Sequence, residues 1–147
     1  MNSDDLIIEQ ALDILSRRIA VPHAVVSSPL AVKKYLTVKL AQAEREVFGV
    51  LWLNVLNGVI ACDDLFFGTL VHACVHPREV VKSALKHNAA AAIYFHNHPS
   101  GSTAPSEADK RLTESLKIAL DLVDVRSLDH IIVAGTQTLS FAEEGLM

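Results

Sequence analysis

Residues 90–109 read AAAIYFHNHPSGSTAPSEAD, and the placement of every other segment follows from them. The opening run, Ala90 to Phe95, is apolar at every position and too short for a helix of its own, the pattern of a strand buried on both faces. It leads directly into His96-Asn97-His98. Alternate strand side chains face the same way, so the two imidazoles can point at one spot. A loop carrying Pro99, Ser100, Gly101 and Pro105 follows, and Ser106 then opens a helix with Asp109 in its first turn. A loop of that length can fold back and bring the helix start beside the strand end.

Outward from this stretch, the elements alternate. Upstream, Pro77 opens a helical segment, PREVVKSALKHNA, whose Val80, Val81, Ala84 and Leu85 share one side. Before it, VFGVLWLNVL from Val47 is apolar on both faces and ends at Asn57-Gly58, a strong hairpin signal; VIACDDLFF and LVHACV continue as strands of a β-meander. A helical stripe of Leu6, Ile7, Ala11, Leu12, Ile14, Leu15 and Ile19 spans Asp4 to Ala20, and Ser28-Pro29 starts a second helix reaching about Ala43. Downstream, the helix from Ser106 extends to about Val123, and LDHIIVAG with TLSFAEE supplies the last strand or two. These readings predict an α/β fold with a mixed sheet flanked by helices. The expected organisation is an N-terminal helical segment, residues 1–43, packed on a single compact unit, residues 44–147.

Composition sets the broad class. With 147 residues, half of them apolar, the chain can bury a core, and a net charge of −4 offers no diffuse basic field for a polyphosphate backbone. No apolar run approaches the ~20 residues that span a bilayer, and MNSDDLIIEQ opens acidic where a secretory signal opens basic. A cytoplasmic protein with no membrane partner is expected. Cys62 and Cys74 are too far apart for a C-x-x-C unit and read as reduced core thiols, and Trp52 reads as core.

His96, His98 and Asp109 together carry the chemistry. Two neutral nitrogens and one carboxylate suit a tetrahedral Zn²⁺ with bonds of about 2.0–2.2 Å, leaving a fourth position for water. Zinc lowers the pKa of such a water towards about 7 and polarises a carbonyl oxygen, as amide hydrolysis requires. Taken alone, Ser106-Glu107-Ala108-Asp109 is better read as a capping box that finishes a helix. The combination is more specific, because the chain matches H-x-H-P-x(6)-S-x-x-D from His96 to Asp109.

On that motif, together with REVFGVLWLN, LFFGTL, VHPREVVKSALKHNAAA and LDHIIVAG, the chain resembles the RadC-like branch of the JAB/MPN (JAMM) metalloprotease superfamily over roughly residues 28 to 145. The resemblance implies a cytidine-deaminase-like fold, one zinc ion on His96, His98 and Asp109, and a glutamate acting as general base from the beginning of the first strand. Glu44 and Glu46 share the required parity. Glu46 is preferred because it stands nearer the buried sheet, and Glu44 is the alternative. The resemblance also gives the Ser106 hydroxyl a part in stabilising the oxyanion. The implied function is that of a zinc metallopeptidase or isopeptidase, with metal-activated water attacking an amide carbonyl of a peptide or protein substrate.

Other readings compete. Zinc deamination of a nucleobase needs H-x-E followed by P-C-x-x-C, and neither occurs. A DNA-repair-associated binding module, with vestigial or nuclease activity, is the stronger rival, since longer RadC-like proteins place a helix-hairpin-helix segment ahead of the metal domain. The first 40 residues here have no Gly-rich hairpin and few clustered Lys or Arg, so a nucleic-acid partner is weakly supported. His130, in LDHIIV, reads as a hydrogen-bonded strand histidine, with a supporting part beside Asp129 left open; His23, His72, His76 and His87 have no partner spacing. An exposed sheet edge leaves both a homo-oligomer and an added peptide strand open.

Overall fold

The computed structural model describes residues 2–20, 29–68 and 75–147. Its elements are α1 (Ser3–Ala20), α2 (Pro29–Leu40), β1 (Val47–Leu53), β2 (Val59–Phe67), α3 (Pro77–Lys86), β3 (Ala91–Asn97), α4 (Glu107–Asp121), β4 (Arg126–Ala134) and β5 (Gln137–Ser140). The strands form one sheet in the order β2-β1-β3-β4-β5, in which β3 and β4 are parallel and the other pairs antiparallel. This is the mixed α/β architecture expected from the alternation of helical and strand patterns. Of the expected strand LVHACV only Val75 is described, buried and outside any strand; its other residues, with His72 and Cys74 among them, the cap Ser28 and His23 lie outside the described residues.

Strand parity divides the core in two. Val47, Leu51 and Leu53 of β1, Ile93 and Phe95 of β3, and Ile131 and Val133 of β4 pack against Val32, Tyr35, Leu36 and Leu40 of α2, with Leu12 and Leu15 of α1 at the margin. Phe48, Val50, Trp52, Ala92 and Tyr94 face the other way, onto Val80 and Ala84 of α3 and Leu116 and Leu120 of α4. Strands covered on both faces must be apolar throughout, which is why β1 and β3 read as continuous hydrophobic runs. No helix among the described residues is long and apolar enough to cross a membrane.

Two boundaries differ from the sequence expectation, each for a local reason. Helix α2 stops at Leu40 rather than near Ala43, because tight turn bonds from Ala41 N to Val38 O and from Ala43 N to Leu40 O close it. Strand β1 stops at Leu53 because the Asn54 side chain accepts from the backbone N–H groups of Leu56 and Gly58, turning the chain before Asn57-Gly58 is reached.

Gly49 sits opposite Phe95 in the β1–β3 register. A Cβ there would lie 2.3 Å from the Phe95 ring and 2.6 Å from the Asp63 carbonyl oxygen. The aromatic ring therefore fills the space that a side chain at 49 would occupy. Gly49→Ala should cost about 1–3 kcal/mol by overpacking, read as a lower denaturant midpoint at unchanged slope.

Asp63 on β2 organises a second polar cluster. Ser83 Oγ donates to its Oδ2 at 2.8 Å, His87 Nε2 donates to the same oxygen at 2.7 Å, and Trp52 Nε1 donates to Ser83 Oγ at 3.0 Å. Serine, histidine and aspartate are thus all present, but both partners converge on one carboxylate oxygen. The serine donates to the acid rather than to the ring, so this wiring does not activate a nucleophile. Burial opposes ionisation of Asp63, yet the bonds from Ser83 and His87 outweigh it and hold the carboxyl below its ordinary value of 3.8. A depressed folded-state pKa gives stability that is complete above the unfolded value and lost as the pH falls through the folded one. Below about pH 3.8 the wild type should therefore lose stability more steeply than Asp63→Asn, as followed by chemical denaturation at stepped pH.

Candidate metal centre

The end of β3 carries the first ligand candidates. His96 is wholly buried on the α4 side of the sheet, and His98 prolongs the strand geometry beyond its last residue by donating its backbone N–H to Val133 O at 2.8 Å. The rings consequently come together, Nε2 to Nε2, at 2.8 Å. The loop then turns tightly, with Gly101 N donating to His98 O at a φ of 89°, a conformation that favours glycine.

Ser106 caps α4. Its Oγ accepts from Asp109 N at 3.0 Å while the Asp109 carboxylate accepts from Ser106 N at 2.8 Å, a complete capping box. The cap also aims the carboxylate. Asp109 Oδ1 lies 3.3 Å from His96 Nε2, and Oδ2 lies 3.1 Å from His98 Nε2. The two readings of Ser-x-x-Asp therefore coincide in one geometry: the carboxyl group that ends the helix also faces the histidines.

The donor set fits a cation. His98 Nδ1 lies 2.9 Å from Ser102 O, and a carbonyl can only accept, so Nδ1 carries the hydrogen and the neutral ring turns the lone pair of Nε2 to the cluster. The three ligand atoms lie within 4.8 Å of one another. Tetrahedral bonds of about 2.0–2.2 Å require ligand atoms roughly 3.3–3.6 Å apart, somewhat wider than the 2.8, 3.1 and 3.3 Å present. His96 and Asp109 side chains are 0% and 3% exposed, and that of His98 is 14% exposed, so the cluster opens to solvent on the His98 side.

Electrostatics follow burial and pairing. Burial holds the His96 imidazole below its ordinary range, whereas the hydrogen bond with Asp109 raises that of His98. Burial would raise the Asp109 carboxyl, but the pairing open to it with His96 and His98 when either ring is protonated at Nε2, together with the Ser106 backbone N–H, holds it far below the usual carboxylate range.

Of the two glutamates at the strand entry, Glu44 is exposed and Glu46 is half-buried. The charge of Glu46 bears on both His96 and His98. Its backbone is held on three sides. Asn97 Nδ2 donates to Arg45 O at 3.0 Å, Asn97 Oδ1 accepts from Val47 N at 2.7 Å, and Gly68 N donates to Glu46 O at 2.9 Å. The central residue of His-Asn-His thus clamps the peptide groups flanking Glu46. Sequence reading passed over Asn97, whose signal was its place inside the motif. It also passed over Thr113, one helical turn after Asp109 on the buried face of α4.

His76 and His87 stand away from the centre, against the Phe66 ring and on Asp63 respectively. His130, by contrast, bonds directly to His96, its Nε2 lying 2.7 Å from His96 Nδ1. Complete burial pushes the His130 imidazole well below its ordinary range.

Residues 26–146 match the RadC-like JAB domain family. The chain belongs to that family. It is 50% identical to the UPF0758 protein YeeS of Escherichia coli K12 over 96% of this chain and 95% of that one, and 51% identical to YkfG of the same organism over 98% and 91%. A UPF0758 protein of Janthinobacterium sp. (strain Marseille) is 58% identical over 81% of this chain, which spans only 53% of that longer relative. These names state no activity. The RadC-like JAB assignment supports a metal-dependent hydrolase in general terms, and the His96, His98 and Asp109 cluster is compatible with a metal ion.

Removing the Asn97 clamp leaves the buried Val47 N–H and the part-buried Arg45 carbonyl unpaired. Asn97→Ala should lower stability by about 1–3 kcal/mol, and amide hydrogen exchange at Val47 should quicken in the same variant.

Proposed function

We propose that the protein is a zinc-dependent hydrolase that cleaves amide or isopeptide bonds in a peptide or protein substrate. The observation that carries this reading is the convergence of His96 Nε2, His98 Nε2 and the Asp109 carboxylate at a partly open cluster, within electrostatic reach of Glu46. The family match supports the hydrolase class.

His96, His98 and Asp109 would hold one zinc ion. Bound there, zinc supplies Lewis acidity, making a water molecule acidic near neutral pH and polarising a carbonyl. Glu46 is the general base: it takes a proton from the attacking water and returns it to the leaving nitrogen. Asn97 keeps the Glu46 backbone fixed while the proton moves. Ser106 uses its oxygen lone pair to cap Asp109 N, so its hydroxyl hydrogen is available to the oxyanion, and capping and catalysis do not conflict. Glu44, which is exposed, is the alternative base.

The test joins metal analysis to cleavage. Wild-type protein should bind one equivalent of zinc, and His98→Ala should lose it while keeping its circular dichroism spectrum. With a peptide and isopeptide library, Glu46→Gln should cut turnover by about 10²–10⁴ with zinc still bound. Undiminished cleavage by Glu46→Gln rejects the base assignment. Cleavage or binding of single- or double-stranded DNA, with the peptides intact, favours the nucleic-acid reading instead.

A further inference from the structure

We propose that Thr113 and His130 form a hydrogen-bond relay that locks His96 in the tautomer with its proton on Nδ1, leaving Nε2 as a lone-pair donor to the metal centre. The inference rests on the reading of His96 as a ligand only for its consequence. The hydrogen on His96 Nδ1 follows from counting donors and acceptors, and Nε2 is then bare in the neutral ring.

The relay begins at a backbone carbonyl. Thr113 Oγ1 lies 2.8 Å from Asp109 O, one turn back along α4, and a carbonyl can only accept, so the single hydroxyl hydrogen is spent there. Thr113 Oγ1 also lies 2.6 Å from His130 Nδ1. With its hydrogen committed, the hydroxyl can only accept in this second contact, and His130 Nδ1 must be the donor. His130 is 0% exposed. Phe141 stacks on its ring at 4.6 Å between centroids, and Phe48 and Tyr94 meet it edge-on at 5.8 Å each. Both ring nitrogens contact neutral partners, and an imidazolium enclosed by aromatic rings without a bonded carboxylate is costly, so the ring is neutral. Its Nε2 then carries no hydrogen and must accept. The donor at 2.7 Å is His96 Nδ1, which leaves the hydrogen of a neutral His96 ring on Nδ1 and bares Nε2.

Direction matters here. Were Thr113 unable to accept, His130 could place its hydrogen on Nε2 and donate to His96 Nδ1. His96 would then hold its own hydrogen on Nε2, the atom facing Asp109 and His98, and could not bind a cation through it. Thr113 and His130 are positioning residues: neither touches the cluster with a ligand atom, yet together they decide what His96 presents. His98 reaches the same state by a shorter route, through the Ser102 carbonyl.

The test reads the tautomer directly in metal-free protein labelled with ¹⁵N-histidine. In the wild type, His96 Nδ1 should give a pyrrole-like shift and Nε2 a pyridine-like one. Thr113→Val, nearly the same shape but no acceptor, should shift His96 towards the opposite tautomer, and Thr113→Ser should restore the wild-type pattern. Zinc affinity, measured by competition with a chelator, should fall about 10–100-fold in Thr113→Val and recover in Thr113→Ser. A wild-type spectrum with hydrogen on His96 Nε2 overturns the relay whatever any variant does, as does an unchanged tautomer in folded Thr113→Val. If the predicted tautomer is found but the wild type binds no zinc, the relay stands and the metal-dependent reading of the site falls.

Discussion

Strand β3 is buried on both faces from end to end and hydrogen-bonded on both edges, and everything at the candidate site depends on its register. A slip of one residue would turn each of its side chains to the opposite face, so the register is fixed by the core rather than by the site. Because the register is fixed, His96 emerges on the α4 side and Asn97 is free to reach the entry of β1. Antiparallel pairing with β1 puts the beginning of that strand, and so Glu46, at the end of β3. Parallel pairing with β4 sets His130 alongside Tyr94, close enough behind His96 to bond it. One strand with one antiparallel and one parallel neighbour thus gathers residues that are up to 84 positions apart in the chain (46 to 130).

The parts that were legible in the sequence are those governed by short periods. Apolar continuity marked β1 and β3, the His-x-His alternation marked two rings on one side, and Ser-x-x-Asp marked a helix start. The parts that were not legible depend on pairing between distant segments. Glu44 and Glu46 have the same strand parity, so spacing could not separate them; the Asn97 clamp on the peptide groups flanking Glu46 and the burial beginning at Val47 depend on pairing that spacing does not report. His130 looked like an ordinary strand histidine because the residue it serves lies 34 positions away, and only the β3–β4 register brings the rings together. Asn54 ended β1 early by a side-chain turn that the stronger Asn57-Gly58 signal concealed.

Asp109 shows how a costly buried carboxylate is accommodated. A buried anion needs partners, and this one is given the Ser106 backbone N–H by its own helix cap, while the Nε2 atoms at the end of β3 face it as fellow candidate ligands rather than as donors. The cap orients it before any metal is considered, which makes the helix start a rigid mount instead of a flexible loop. Among the described residues every buried side-chain nitrogen or oxygen has a polar neighbour within hydrogen-bond reach, which confines each of them to few geometries.

The contrast with the Asp63 cluster shows why residue types alone do not determine chemistry. Both clusters set histidine against a carboxylate. At Asp63 the His87 Nε2 is spent on the acid itself, and Ser83 binds the same oxygen, so the group closes on itself as a structural tie between β2 and α3. Around Asp109 the commitments run outward. His98 spends Nδ1 on a loop carbonyl and His96 spends Nδ1 on His130, while both Nε2 atoms turn inward to a common point. What separates a tie from a candidate metal centre is which ring nitrogen the surrounding backbone and side chains have already engaged, and that is decided by loops and strands that never touch the reacting atoms.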